Sequence, residues 1–170
     1  MSTKLPIDVL DDMKRRKNVR KYSLVVLFLL LVNIGMVDSA TAVEVRISSP
    51  PDGATVSKII EIGGTSNGIL ISQSLWICVY PPGVQRYYPQ DKRDFPIVMG
   101  KNGDWSTRVV LDRDIYTGSE FKLCAVVANE ASNKKILEYL NKSKANKSWS
   151  GLRQLPDGAL IYDKIAVTRI

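Results

Sequence analysis

Two thiols and a set of aromatic rings are the side chains that could do chemistry here, because the chain has no histidine. Without imidazole there is no Ser-His-Asp or Cys-His relay and no histidine ligand for zinc. The two cysteines, Cys78 and Cys124, are too few to close a structural zinc site without carboxylate help. No Walker A pattern, GxGxxG or HExxH stretch occurs, and no Asp or Glu sits in a recognisable catalytic context. The expectation is a protein that is not an enzyme and takes no metal or cofactor. Interest then passes to the rings. Tyr80, Arg86, Tyr87, Tyr88 and Arg93 cluster around Pro81-Pro82-Gly83, and Trp149 follows a basic stretch. Flat rings beside hydrogen-bonding groups stack on sugars, and tyrosine with arginine equally anchors protein interfaces. The plainer alternative is that the rings cover the edge of a sheet.

The elements that must position these residues are strands. Turn signals divide the region after Val43 into short segments, which predicts an all-β sandwich or barrel. Val43, Val45 and Ile47 alternate with Glu44 and Arg46, so this strand offers one face to a core. Pro50-Pro51-Asp52-Gly53 forces a turn. Lys58 to Gly63 reads as a second strand, stopped by Gly63-Gly64 and Ser66-Asn67-Gly68. Leu75 to Tyr80 is apolar on both faces, as a central strand must be. Tyr87-Tyr88-Pro89 reads as a short edge strand, because proline lacks the donor an interior strand needs. Trp105 to Leu111 follows the turn Asn102-Gly103-Asp104, with Trp105, Thr107, Val109 and Leu111 on one side. Phe121 to Ala128 is again apolar on both faces, and a closing strand runs from about Leu160 to Ile170. About seven or eight strands in so short a region is the density of an immunoglobulin-like sandwich.

A resemblance agrees with this. Ile47-Ser48-Ser49-Pro50-Pro51-Asp52-Gly53-Ala54-Thr55-Val56, followed by Ile60-Glu61-Ile62-Gly63-Gly64-Thr65-Ser66, resembles the opening of prokaryotic immunoglobulin-like surface modules. Those begin with a Pro-x-x-Gly-x-x-Val turn and a strand ending in Gly-Thr. The entry Gly103-Asp104-Trp105 is similar to their central region, so the likeness covers roughly residues 45–66 and 102–128. It implies export, modularity and a binding or structural role without a specific ligand. The chain departs from the pattern after Ala128, where such modules turn directly into the last strand.

The departure is a segment of residues 129–158. Asn129 or Ser132 can cap a helix running to about Lys142, with Ile136, Leu137 and Leu140 on one face. Polar, basic residues then lead through Trp149 to the turn Leu155-Pro156-Asp157-Gly158. Face by face, Phe121, Leu123, Ala125 and Val127 point inward, as do Leu75, Ile77 and Val79. Their strands are neighbours in an immunoglobulin-like topology, which leaves an outer patch of Trp76, Cys78, Tyr80, Cys124 and Val126. Either the helix packs on that patch, or it lifts and a partner takes the patch. Cys78 and Cys124 share this face, so an exported protein would bond them as a disulfide; the alternative is two buried free thiols. Asn141-Lys142-Ser143 and Asn146-Lys147-Ser148 are glycosylation sequons, which would place that stretch on a surface loop.

The N-terminus supplies the export expectation. Lys14-Arg15-Arg16-Lys17 with Arg20 and Lys21 precedes a 15-residue apolar run, Ser23 to Val37, and Ala40-Thr41-Ala42 follows. That is the layout of a signal peptide, and the run is shorter than the roughly 17–25 residues a spanning helix needs. Cleavage after Ala42 is expected, with an uncleaved N-terminal anchor as the alternative. The acidic residues Asp8, Asp11 and Asp12 fit such a segment poorly, and Met13 is the better start. Basic residues before the run place the following domain outside the cell in either case. Of the net charge of +7, residues 1–42 hold +3, so the 128-residue remainder carries no strong basic signal for nucleic acid.

Two domains are thus expected: residues 1–42 as signal peptide or anchor, and residues 43–170 as an immunoglobulin-like sandwich with a helical insertion at about 129–158. The expected role is an exported, non-catalytic binding or structural module of the cell envelope. Its partner is a protein held through Trp76, Tyr80, Ile136, Leu137 and Leu140, or a polysaccharide held through Tyr87, Tyr88 and Trp149. Membrane contact is expected only through residues 23–37, if uncleaved.

Overall fold

The alternating strands do form sheets. The structure, a computed structural model, describes residues 42–90, 97–111 and 116–170. The expected signal peptide or anchor, its cleavage site after Ala42 and Arg93 therefore involve residues outside the described ones. Eight strands and one helix follow in chain order: β1 Glu44–Ser49, β2 Ala54–Val56, β3 Ile59–Asn67, β4 Ser74–Tyr80, β5 Tyr88–Pro89, β6 Asp104–Val110, β7 Glu120–Ala128, α1 Glu130–Asn146 and β8 Ala159–Arg169. One sheet has the order β1-β3-β6, the other β2-β8-β7-β4-β5. All pairings are antiparallel except β2 with β8. The described chain is mostly β, two sheets in the manner of a sandwich, with one helix before the last strand.

The main core lies where the inward faces of the two sheets meet. Val45, Ile62, Trp105 and Val109 come from the three-stranded sheet; Leu75, Ile77, Val79, Phe121, Leu123, Ala125, Val127 and Val167 come from the other. For β1, β4, β6 and β7 these are the faces that alternation assigns in the sequence; Ile62 and Val167 join them from strands whose faces the sequence leaves open. Each large aliphatic or aromatic side chain so buried contributes roughly 1.5–3 kcal/mol, and together they carry the fold. Residues Thr41–Ile170 make up one compact unit.

Three expectations need correction. Gly63-Gly64 does not stop β3, which continues to Asn67. A side chain at Gly64 would collide with the Arg46 carbonyl oxygen on β1 and with the Trp105 ring on β6, so the glycine allows close approach within a strand rather than ending it. The stretch after the double proline is not only a turn: Ala54, Thr55 and Val56 pair in parallel with Val167, Thr168 and Arg169. Finally, α1 runs to Asn146 rather than Lys142 and ends where Lys147 takes a left-handed conformation (φ 51°). Its buried positions Ser132, Ile136, Leu140 and Ser143 keep helical spacing past the expected end. Asn141 and Asn146 are exposed, but on the helix and not on a loop.

Candidate functional site

Helix α1 treats two neighbouring surfaces differently. Its body closes the outer face of β4 and β7. These strands lie side by side, with Trp76 opposite Val126 and Cys78 opposite Cys124. Ile136 and Leu140 bury against these four residues, forming a second apolar cluster with Ala128 and Ala159, and Leu137, Tyr139 and Tyr87 pack at its border. The helix is fixed at its start by Asn129, whose Oδ1 accepts the Ser132 backbone N–H at 2.9 Å. It is fixed along its flank by Trp76, whose Nε1 donates to Asn133 Oδ1 at 3.0 Å. The helix thus packs on the patch. Trp76 and Ile136 are fully buried and Leu140 nearly so.

The same closure decides the state of the thiols. Cys78 and Cys124 face each other across the β4–β7 ladder, yet both are free and buried; the expected bridge is not formed. Each packs as a small apolar group in a dry cluster. Burial pushes the Cys78 thiol far up, aided by Cys124 beside it. Burial also raises Cys124, to about 11, with Lys164 and Lys122 partly opposing the shift. Thiols held protonated are poor nucleophiles and poor metal ligands.

Beyond its last turn α1 leaves a surface open. Consecutive residues at β5 diverge, as strand geometry requires. The Tyr87 ring leans on Tyr80, with centroids 5.0 Å apart and planes at 58°, and borders the helix-covered cluster. Tyr88 turns the other way, packs at the edge of the main core and lines a cleft of about 630 Å³. Across the cleft stand Lys147, Ser148 and Trp149, with Tyr116, Phe121 and Tyr139 completing its aromatic lining. Trp149 is about half exposed (46%).

The segment after α1 is clamped to the β4–β5 loop. Tyr87 and Leu152 exchange two backbone hydrogen bonds of 2.8 Å. Arg86 Nη1 donates to the Ser150 and Gly151 carbonyls at 3.1 and 3.3 Å, and the Gly151 N–H donates to Tyr139 Oη at 3.0 Å. Gly151 sits at φ 69°, and a side chain there would run into the Tyr88 ring and the Arg86 side chain, so glycine suits the position. The cleft wall is therefore built rather than loose.

Gln90 is spent on structure: its Oε1 accepts the Val110 N–H at 3.0 Å and its Nε2 donates to the Tyr88 carbonyl at 3.2 Å. Lys147 and Ser148, with the polar ends of Tyr88, Tyr116 and Trp149, are the further polar groups on the lining residues. The described lining is mostly aromatic and apolar, with hydrogen-bonding groups beside the rings.

Of the residues expected to bind, the structure brings Tyr88 and Trp149 together. Tyr87 and Tyr80 pair with each other instead, and Trp76, Ile136 and Leu140 go to the interior. Tyr116, Phe121 and Tyr139 were not foreseen in the site. Tyr139 alone carried a signal, lying beside the apolar face of α1 rather than on it. No protein-family model matches this chain, and no curated protein matches it.

Proposed function

We propose that this chain is an exported, non-catalytic binding module of the cell envelope, with an immunoglobulin-like sandwich that holds a surface or wall polysaccharide in the cleft between β5 and the end of α1. The observation that carries this reading is the meeting of Tyr88 and Trp149 in one cleft, with a clamped wall and a polar rim. Flat rings at the border of an open cleft are what a sugar ring stacks on. The immunoglobulin-like topology is supported by the sheet orders β1-β3-β6 and β2-β8-β7-β4-β5, with the chain crossing from one sheet to the other between β1 and β2. Export rests on the basic and apolar pattern of residues 14–42. A protein contact through α1 has less support, since Trp76, Ile136 and Leu140 lie buried.

Retention of the protein on insoluble wall and surface glycans tests this. The wild type should be retained, and Tyr88→Ala and Trp149→Ala should each weaken retention about tenfold, equivalent to roughly 1.4 kcal/mol. Trp149→Ala should do so with an unchanged melting temperature, because the ring is half exposed. Failure to bind any glycan, or equal binding by all three proteins, removes the reading. A co-purifying protein lost on deleting residues 131–149 would restore the protein-contact alternative in its place.

A further inference from the structure

The two ends of the sandwich differ in what they show to solvent. The cleft belongs to the end where β4 and β6 finish and β7 begins, since Val79, Val110 and Phe121 line it. At the opposite end, β3 leaves Asn67 for a loop that carries Leu70 and Ile71, 61% and 108% exposed. Val98 and Met99 are exposed on the loop that leads into β6 at this same end, and Leu160 is exposed at the start of β8. The cleft end also shows Ile59 and Ile170 to solvent; isolated exposed aliphatic residues are ordinary, and the five at the opposite end are the larger group.

The tip is held outward by its own hydrogen bonds. The Leu70 N–H donates to Gln73 Oε1 and the Gln73 N–H to the Leu70 carbonyl, both at 2.9 Å, so Ile71 stands at the apex of a closed turn. The loop before β6 is tied to the end of β3 below the tip, with Ser66 N–H donating to the Gly103 carbonyl at 2.8 Å and Ser66 Oγ 3.2 Å from Met99 Sδ. Between them is a shallow hollow lined by Glu44, Asn67, Ile69, Met99 and Lys101. Glu44, the first residue of β1, pairs with Asn67, so the chain enters the domain beside this tip. In the sequence the apolar run Ser23 to Val37 ends only a few residues earlier. Residues 38–43 can span at most about 20 Å when extended.

From this placement we infer that the Leu70-Ile71 tip dips into the surface of a lipid bilayer in the form of the protein that keeps residues 23–37. Contact with the membrane then extends beyond that segment, and the cleft is turned away from the lipid. Two aliphatic side chains alone are too weak for stable attachment, as a single acyl chain is marginal. A short tether raises their effective concentration at the bilayer, which makes the contact persistent. This inference does not depend on the ligand of the cleft.

The test uses the full chain reconstituted with vesicles of phosphatidylcholine and phosphatidylglycerol. Cys78 and Cys124 are buried, so a single new cysteine takes an environment-sensitive fluorophore selectively. Labels at Ser72→Cys, next to the tip, and Ser57→Cys, at the other end, form the comparison. The label at position 72 should shift to the blue and be quenched severalfold more strongly by spin-labelled lipid than the label at position 57. Adding Leu70→Ser and Ile71→Ser should abolish that difference. Equal quenching at both positions overturns the inference, as does a difference that survives the two serines. A full chain that fails to float with the vesicles overturns it too. A blue shift without vesicles, accompanied by a doubled mass, would assign the tip to a second copy instead.

Discussion

One helix borders two aromatic surfaces and closes only one of them. Over β4 and β7 the body of α1 seals Trp76, Cys78, Cys124 and Val126 into a dry cluster. Past its left-handed end at Lys147, the chain is clamped to the β4–β5 loop and leaves Tyr88 and Trp149 around an open cleft. Both surfaces are rich in rings and both read in sequence as partner sites. The difference is whether a neighbouring apolar stripe has the spacing to cover them. Ile136 and Leu140 provide that stripe for the first surface. The residues after Asn146 carry no apolar stripe at helical spacing and provide no such cover for the second. An aromatic cluster thus stays open to solvent only where the chain fails to supply its lid.

The comparison can be broken from either side. The largest effect belongs to the sealed face. Leu140→Asp places a carboxylate in an apolar cluster and removes its packing, which should cost about 4–5 kcal/mol. The domain should lose cooperative unfolding in urea or fall sharply in midpoint; a variant that stays folded and changes only in partner binding would show that α1 lifts. Next is Gly151→Ala on the open side. Positive φ and the collision with Tyr88 together should cost about 2–3 kcal/mol and displace the cleft wall, so that glycan retention drops along with thermal stability. Retention unaffected by this change would mean the clamp does not shape the site.

The smallest effect is a pH dependence that only the sealed face can produce. Under reducing conditions both thiols deprotonate later in the folded chain than in the unfolded one. The unfolded state therefore loses protons first as pH rises above the ordinary thiol value of 9.0, and the stability that Cys124 contributes falls until it titrates at about 11. Across that window the wild type should lose about 2 kcal/mol more than a Cys124→Ala variant. Parallel stability curves for the two proteins would show that this thiol is not desolvated, and that the cluster is not sealed.

Much of the fold was legible because strand alternation is a local signal. The inward sets of β4, β6 and β7, and the outer patch on β4 and β7, follow from residues two apart on one strand. Glycine misled where its role was tertiary: nothing local in Gly63-Gly64 announces that Arg46 and Trp105 need the space. Strand β2 is too short to alternate, and it exists through its pairing with β8. The end of α1 was obscured by Ser143, a polar residue on the buried face. The cleft was the least legible feature. It draws on β4, β5, β6, β7 and the segment after α1, and no local pattern tells which of several tyrosines will meet Trp149.

The parallel pair β2–β8 has a mechanical consequence. The chain enters the domain at the start of β1 and leaves at the end of β8, at opposite ends of the sandwich. Tension applied across those points draws β2 and β8 past each other along their length. Their ladder, with Gly53 N–H on the Ala166 carbonyl and Ile170 N–H on the Val56 carbonyl, is then strained in shear, every bond sharing the force at once. An antiparallel hairpin pulled from its open end would instead unzip one bond at a time. Three short residues of β2 thus make the domain a stiff link in any strand of material that pulls on it.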